Sequence, residues 1–151
     1  MQALILAGGR GTRLHPYTLV FPKPMLPVGG QPIIRTIVGQ LVNHGFLDIV
    51  VSLGYLGNYI RMFFDENGNT PDRATISYLI EPEPLGTAAP VSLLPNPEEN
   101  FLVLNGDILT SIDFSNLYSF HIDHAAALTI AVGVKHVKMN LGVVNFGERD
   151  Q

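Results

Sequence analysis

Ala3-Leu4-Ile5-Leu6 runs straight into Ala7-Gly8-Gly9-Arg10-Gly11-Thr12-Arg13-Leu14, and few folds accept such a junction. An aliphatic run of this kind reads as a buried strand, and the glycines that end it read as a tight loop. A glycine loop lets backbone N–H groups come close to a phosphate, because no Cβ stands in the way. Arg10 and Arg13 add fixed positive charge with fork geometry suited to phosphate oxygens. An isolated Gly-Gly-x-Gly is equally compatible with a plain turn carrying surface arginines. The continuation tips the balance, because Pro22-Lys23-Pro24-Met25-Leu26-Pro27 holds a lysine between two prolines. Each proline fixes its own φ and restricts the residue before it, which predicts Lys23 on a stiff, extended segment that aims its charge.

Strand-like and helix-like segments alternate from there. Strands are expected over 2–6, 48–53, 74–80, 101–104, 128–134 and 142–146, where β-branched and aliphatic residues cluster. Helices are expected over 32–42, 56–64, 87–94 and 114–124. The first has Pro32 at its start, apolar Ile33, Ile34, Ile37, Val38 and Leu41 at helical spacing, and Gly45 as its stop. Alternation of this kind implies βαβ units: an α/β fold with a doubly wound, mainly parallel sheet and helices on both faces. In such sheets ligands bind beyond the carboxyl ends of the strands. The glycine loop, Gly86 and Asp107 all fall at such ends.

Composition narrows the partners. At 151 residues with 46% hydrophobic content, the chain buries one sizeable core and is about one domain long. A formal charge of -4 argues against a nucleic-acid-binding surface, which carries a basic excess. The absence of cysteine excludes disulfides and thiolate metal sites. Apolar runs fall far short of the ~20 residues that cross a bilayer, and no basic leader pattern opens the chain. A cytoplasmic protein that does not enter membranes is expected.

Two familiar nucleotide loops fail. A P-loop closes on Gly-Lys-Ser/Thr, whereas Gly11 is followed by Thr12-Arg13. The dinucleotide fingerprint requires a third glycine where Leu14 stands. Together with the lysine, residues 4–33 (LILAGGRGTRLHPYTLVFPKPMLPVGGQPI) resemble the signature of the sugar-phosphate nucleotidylyltransferases, with the spacing intact. Glu81-Pro82-Glu83-Pro84-Leu85-Gly86-Thr87-Ala88, Leu104-Asn105-Gly106-Asp107 and Leu141-Gly142-Val143-Val144 continue the likeness over essentially the whole chain.

The resemblance implies an enzyme with a Rossmann-like nucleotidyltransferase fold. It would join a nucleoside triphosphate to a sugar 1-phosphate, giving a nucleotide-diphospho-sugar and pyrophosphate. It also implies Mg²⁺ as cofactor, with Asp107 as its carboxylate. Read locally, Asp107 follows an apolar run and Asn105-Gly106, so an Asx turn or a helix cap is its alternative role. Asp113 is better explained as the N-cap of the segment from Phe114. Arg13 and Lys23 match the family's phosphate-binding pair and are the expected catalytic residues. Leu6, Ala7, Gly8, Gly9, Gly11 and Thr12 would line the nucleotide, while Arg10 is expected to be solvated. Glu81 and Gly86 match the positions that read the base, and Gly142 matches the glycine that approaches the sugar. A carboxylate accepts the paired N1–H and N2–H of guanine, whereas many relatives carry glutamine there. Leu85-Gly86-Thr87-Ala88 also looks like guanylyltransferases acting on mannose or heptose phosphates, so guanine is expected ahead of thymine or uracil. The five histidines are scattered and expected at the surface.

The ending departs from the family's pattern, which continues into a sugar-binding Glu-Lys-Pro segment and a second metal-binding aspartate. The chain is therefore expected to be a C-terminally truncated nucleotidyltransferase domain, residues 1–151, that binds triphosphate better than it turns it over. Exposed apolar edges would leave room for a homo-oligomer. A binding or regulatory module of the same fold, without catalysis, is the alternative. A Rossmann oxidoreductase is disfavoured by the missing third glycine and by the lack of an acidic ribose-binding residue after the second strand.

Overall fold

A computed structural model describes residues 1–81, 83 and 86–134. Four parallel strands form its sheet: β1 (Gln2–Ala7), β4 (Asp48–Leu53), β5 (Thr75–Ile80) and β6 (Phe101–Asn105). Their order is β5-β4-β1-β6, which places β1 inside the sheet. Leu4 stands opposite both Val50 and Val103 in the ladders. A strand enclosed on both sides and both faces has to be apolar throughout, which accounts for the unbroken Ala3-Leu4-Ile5-Leu6 run. A two-residue hairpin pairs β2 (Pro27–Val28) with β3 (Gln31–Pro32) just before the first helix.

Side chains alternate across the sheet and sort the core into two clusters. Ala3, Ile5 and Ala7 face α1 (Ile33–Asn43), α2 (Gly57–Asp65) and α4 (Phe114–Asp123), joining Ile49, Val51 and Leu53. Leu4 and Val50 face the other way and meet Leu79 and Leu94, with Val91 of α3 (Ala89–Ser92) packed against them. Helices thus lie on both faces, three on one and a single short turn on the other among the described residues. The fold is the expected α/β arrangement.

The first helix follows its signals closely. Pro32 caps it, and Ile33, Ile34, Ile37, Val38 and Leu41 are buried along one stripe. Gly45 ends it with φ +84°, a backbone conformation that costs any other residue more. The Gly45 amide donates to Val42 O at 3.1 Å and the Phe46 amide to Leu41 O at 2.9 Å, while the fully buried Phe46 ring closes the turn. That is the Schellman pattern of a glycine-terminated helix.

Three expectations change. The helix expected over 87–94 contracts to α3, Ala89–Ser92. Lys23 opens a one-turn 3-10 helix, Lys23–Met25, in which the Met25 amide donates to Pro22 O at 2.8 Å. The prolines stiffen that turn instead of extending it, because a proline near a helix start needs no N–H partner. The apolar run at 128–134 joins no ladder, and Val132 is 88% exposed. β-branched residues favour a strand only where a neighbour supplies hydrogen bonds, and none of the described residues does so. The strand expected at 142–146, with Gly142 in it, lies outside the described residues.

Candidate functional site

The carboxyl ends of β1, β5 and β6 open into a cleft of about 370 Å³. Leu6 and Ala7 line it from the end of β1, and Gly8, Gly9, Gly11 and Arg13 from the loop that follows. Lys23, Glu81, Gly86 and Asp107 line it from three other parts of the chain. Residues separated by as much as a hundred positions in sequence therefore share one wall. Thr12 is exposed on the adjoining turn, outside the lining, and Arg10 is exposed as expected.

The loop is held from both sides. On the β4 side, a Cβ on Gly54 would stand 2.6 Å from the Gly8 carbonyl oxygen and 2.9 Å from its Cα. Only a glycine lets these backbones approach so closely, and the Tyr55 amide donates to Gly8 O at 3.3 Å. On the β6 side, the Gly106 amide donates to Leu6 O at 2.8 Å. Further along, Gly11 turns the chain with φ +61°, and the buried Thr18 hydroxyl donates to its carbonyl at 2.9 Å.

Two acidic groups face this loop differently. Glu81 follows β5, and its amide donates to Leu53 O at 2.8 Å, extending the ladder by one step. Its carboxylate accepts a hydrogen bond from the Ser52 hydroxyl. It lies over Gly8, where a Cβ would stand 2.7 Å from Glu81 Cδ. Asp107 follows β6 and forms an ion pair with Lys23, 84 residues earlier. Both side chains of that pair are about one-third exposed, at 34% and 30%. Arg13 has no carboxylate partner among the described residues. The cleft thus presents an uncommitted guanidinium, an ammonium and a carboxylate that neutralise each other, and a second carboxylate set against the backbone.

Asp113 takes its expected role, because its side chain accepts from the Asn116 amide at the start of α4. Among the described residues no three of His, Cys, Asp and Glu gather in a metal-holding cluster, and no helix is long and apolar enough to cross a membrane. Leu14, Pro24, Thr87, Pro90 and Asn105 also line the cleft, and sequence reasoning missed them. It missed Ser52 and Gly54 as well. The rule that ligands gather at strand carboxyl ends, applied to β4, points to Ser52-Leu53-Gly54.

Comparisons with known proteins give the chain its relatives. The family model described as nucleotidyl transferase matches residues 2–151. A probable mannose-1-phosphate guanylyltransferase 3 of Oryza sativa subsp. japonica is 37% identical, over 95% of this chain and 41% of its own length. The D-glycero-alpha-D-manno-heptose 1-phosphate guanylyltransferase of Aneurinibacillus thermoaerophilus is 36% identical, over 87% of this chain and 57% of its own. Among solved structures, HddC from Yersinia pseudotuberculosis complexed with GMP-PN superposes with a TM-score of 0.64 at 31% identity. That match covers 81% of this chain and 54% of the other. The chain thus spans roughly half the length of the relatives it matches.

Proposed function

The chain belongs to the nucleotidyl transferase family, and on that premise we propose that it serves to join a nucleoside triphosphate to a sugar 1-phosphate, releasing pyrophosphate. The observation that carries this reading is the meeting of the glycine loop with Arg13, Lys23 and Asp107 in one cleft. Nucleotidyl transfer is an in-line attack by a phosphate oxygen on the α-phosphorus. The nucleophile is already anionic, so the reaction calls for no general base. It calls for alignment of two mutually repelling anions and for positive charge around the five-coordinate phosphorus. Backbone N–H groups of the glycine loop and the Arg13 guanidinium meet the triphosphate, and Lys23 exchanges Asp107 for the attacking phosphate.

The donor set fits Mg²⁺ carried on a triphosphate. Asp107 brings one carboxylate to the cleft, and this ion commonly takes one or two carboxylates and completes its shell with phosphate oxygens and water. Bound there, it would neutralise charge on the phosphates. Guanine is the base that suits Glu81, whose carboxylate accepts from two adjacent N–H donors. The guanylyltransferase names of the relatives point the same way.

Pyrophosphate release by the full-length protein, measured across GTP, UTP, dTTP and ATP with mannose, heptose and glucose 1-phosphates, tests the reading. Turnover with GTP and a hexose or heptose 1-phosphate is expected. Nucleotide binding without turnover in every combination would overturn it in favour of a regulatory module.

A further inference from the structure

Ser52 is fully buried in β4, on the face of the sheet that carries Leu4 and Val50. In register it stands opposite Leu79, two residues before Glu81. A buried hydroxyl needs a partner, and this one reaches past the end of the neighbouring strand to the Glu81 carboxylate. The Glu81 amide is fixed separately, to Leu53 O at 2.8 Å. The side chain is therefore tied at both ends, with the Gly8 backbone beneath it. Among the described residues the Ser52 hydroxyl is the hydrogen-bond partner of this carboxylate.

We propose that Ser52 is a positioning residue for base selection: its hydroxyl fixes the Glu81 carboxylate against Gly8 in the one orientation that serves two parallel N–H donors. The inference rests on the nucleotide-binding reading above and adds a residue to it. A glutamate has three side-chain torsions, and an untethered one would meet a base in many orientations. The hydroxyl occupies one acceptor site of Oε1. Each carboxylate oxygen offers about two such sites, so both oxygens remain able to accept from a base. The guanine edge presents N1–H and N2–H side by side and satisfies both. A uracil edge presents one N–H between two carbonyl oxygens and sets an acceptor against the carboxylate. Tethering sharpens that difference, because a fixed carboxylate cannot swing aside to accept a single hydrogen bond from the wrong base. Specificity of this kind comes from leaving the competitor's polar groups unpaired.

The test compares Ser52→Ala and Ser52→Thr with the parent in the full-length protein, reading GTP and UTP affinity by calorimetric titration, KM and kcat by pyrophosphate release, and the melting temperature. Ser52→Ala is expected to lower the GTP-over-UTP ratio about tenfold, the scale of one hydrogen bond to a charged group. The change should appear in KM with kcat held within about twofold, since the base is remote from the reacting phosphorus. Ser52→Thr, which keeps the hydroxyl, should restore most of the ratio. An unchanged ratio in Ser52→Ala, even with a lowered melting temperature, would make the hydroxyl purely structural and overturn the proposal. A parent that binds neither nucleotide would overturn the functional reading itself and this proposal with it.

Discussion

Gly54→Ala should unseat the glycine loop from a position outside the cleft lining. The added Cβ would stand 2.6 Å from the Gly8 carbonyl oxygen, about 0.8 Å short of ordinary contact at 3.4 Å. The three nearest atoms, Gly8 O, Cα and C, are all backbone, so no side chain can rotate away, and either the turn after β4 or the loop after β1 has to move. The Tyr55 N–H bond to Gly8 O, already 3.3 Å long, is the first to be lost. Overpacking of this kind costs about 1–3 kcal/mol and the hydrogen bond about 1 more. For a chain of this size each kcal/mol lowers the melting temperature by about 2–4 °C, giving a fall of roughly 5–15 °C. Nucleotide affinity should fall as well, because the Glu81 carboxylate rests on Gly8. Gly9→Ala is the control, since nothing lies within 4 Å of its added Cβ, and its melting temperature should stay near the parent's. Circular-dichroism melts beside nucleotide titrations read both effects. A Gly54→Ala protein that melts with the parent and binds nucleotide equally well would refute the close-approach argument.

Other consequences can be measured separately. Arg13→Ala should weaken triphosphate binding by at least about tenfold while the melt stays put, because the proposed role gives its charge-assisted hydrogen bonds to the ligand and it forms no ion pair among the described residues; equal affinity would remove Arg13 from the site. Asp107→Asn keeps the side chain's shape but removes its charge, so Mg²⁺-dependent turnover should drop by orders of magnitude in a metal titration. Near-normal activity at low Mg²⁺ would return Asp107 to the role of a turn residue. The Ser115 hydroxyl, followed by the Asn116 amide, holds the Asp113 carboxyl below its ordinary value of 3.8. A depressed folded-state value gives stability that is present above the unfolded value and is lost as pH falls through the folded one. Asp113→Ala should therefore melt lower than the parent at neutral pH, with the gap closing in acid; a gap independent of pH would contradict the capping role.

Where a residue's fate depended on its immediate neighbours, the sequence was enough to read it. The helical spacing and terminal glycine of α1 and the Asp113 cap rest on interactions within a few positions. The cleft was legible at one remove, because strand carboxyl ends converge in a parallel sheet and the glycine loop, Glu81, Gly86 and Asp107 all sit at such ends. Contacts that depend on register were not legible. Ser52 reaches Glu81 because β4 and β5 are aligned Ser52 to Leu79, and Gly54 matters because two adjacent strands end at the same height. The run at 128–134 misled for the complementary reason. Propensity describes what a segment accepts, while a ladder also requires a neighbour.

The pairing of Lys23 with Asp107 gives the cleft a preference of its own. A simple anion that captures the ammonium leaves a carboxylate stranded beside it, and a simple cation that captures the carboxylate strands the ammonium. Each gains one contact and forfeits another. A ligand that carries both signs together replaces the internal pair with two external ones and leaves nothing uncompensated. In terms of linkage, the two halves of such a ligand bind with positive coupling, and each raises the affinity for the other by the same factor. In the proposed reaction the resting ion pair would thus favour the metal and the attacking phosphate arriving together over the capture of either ion alone.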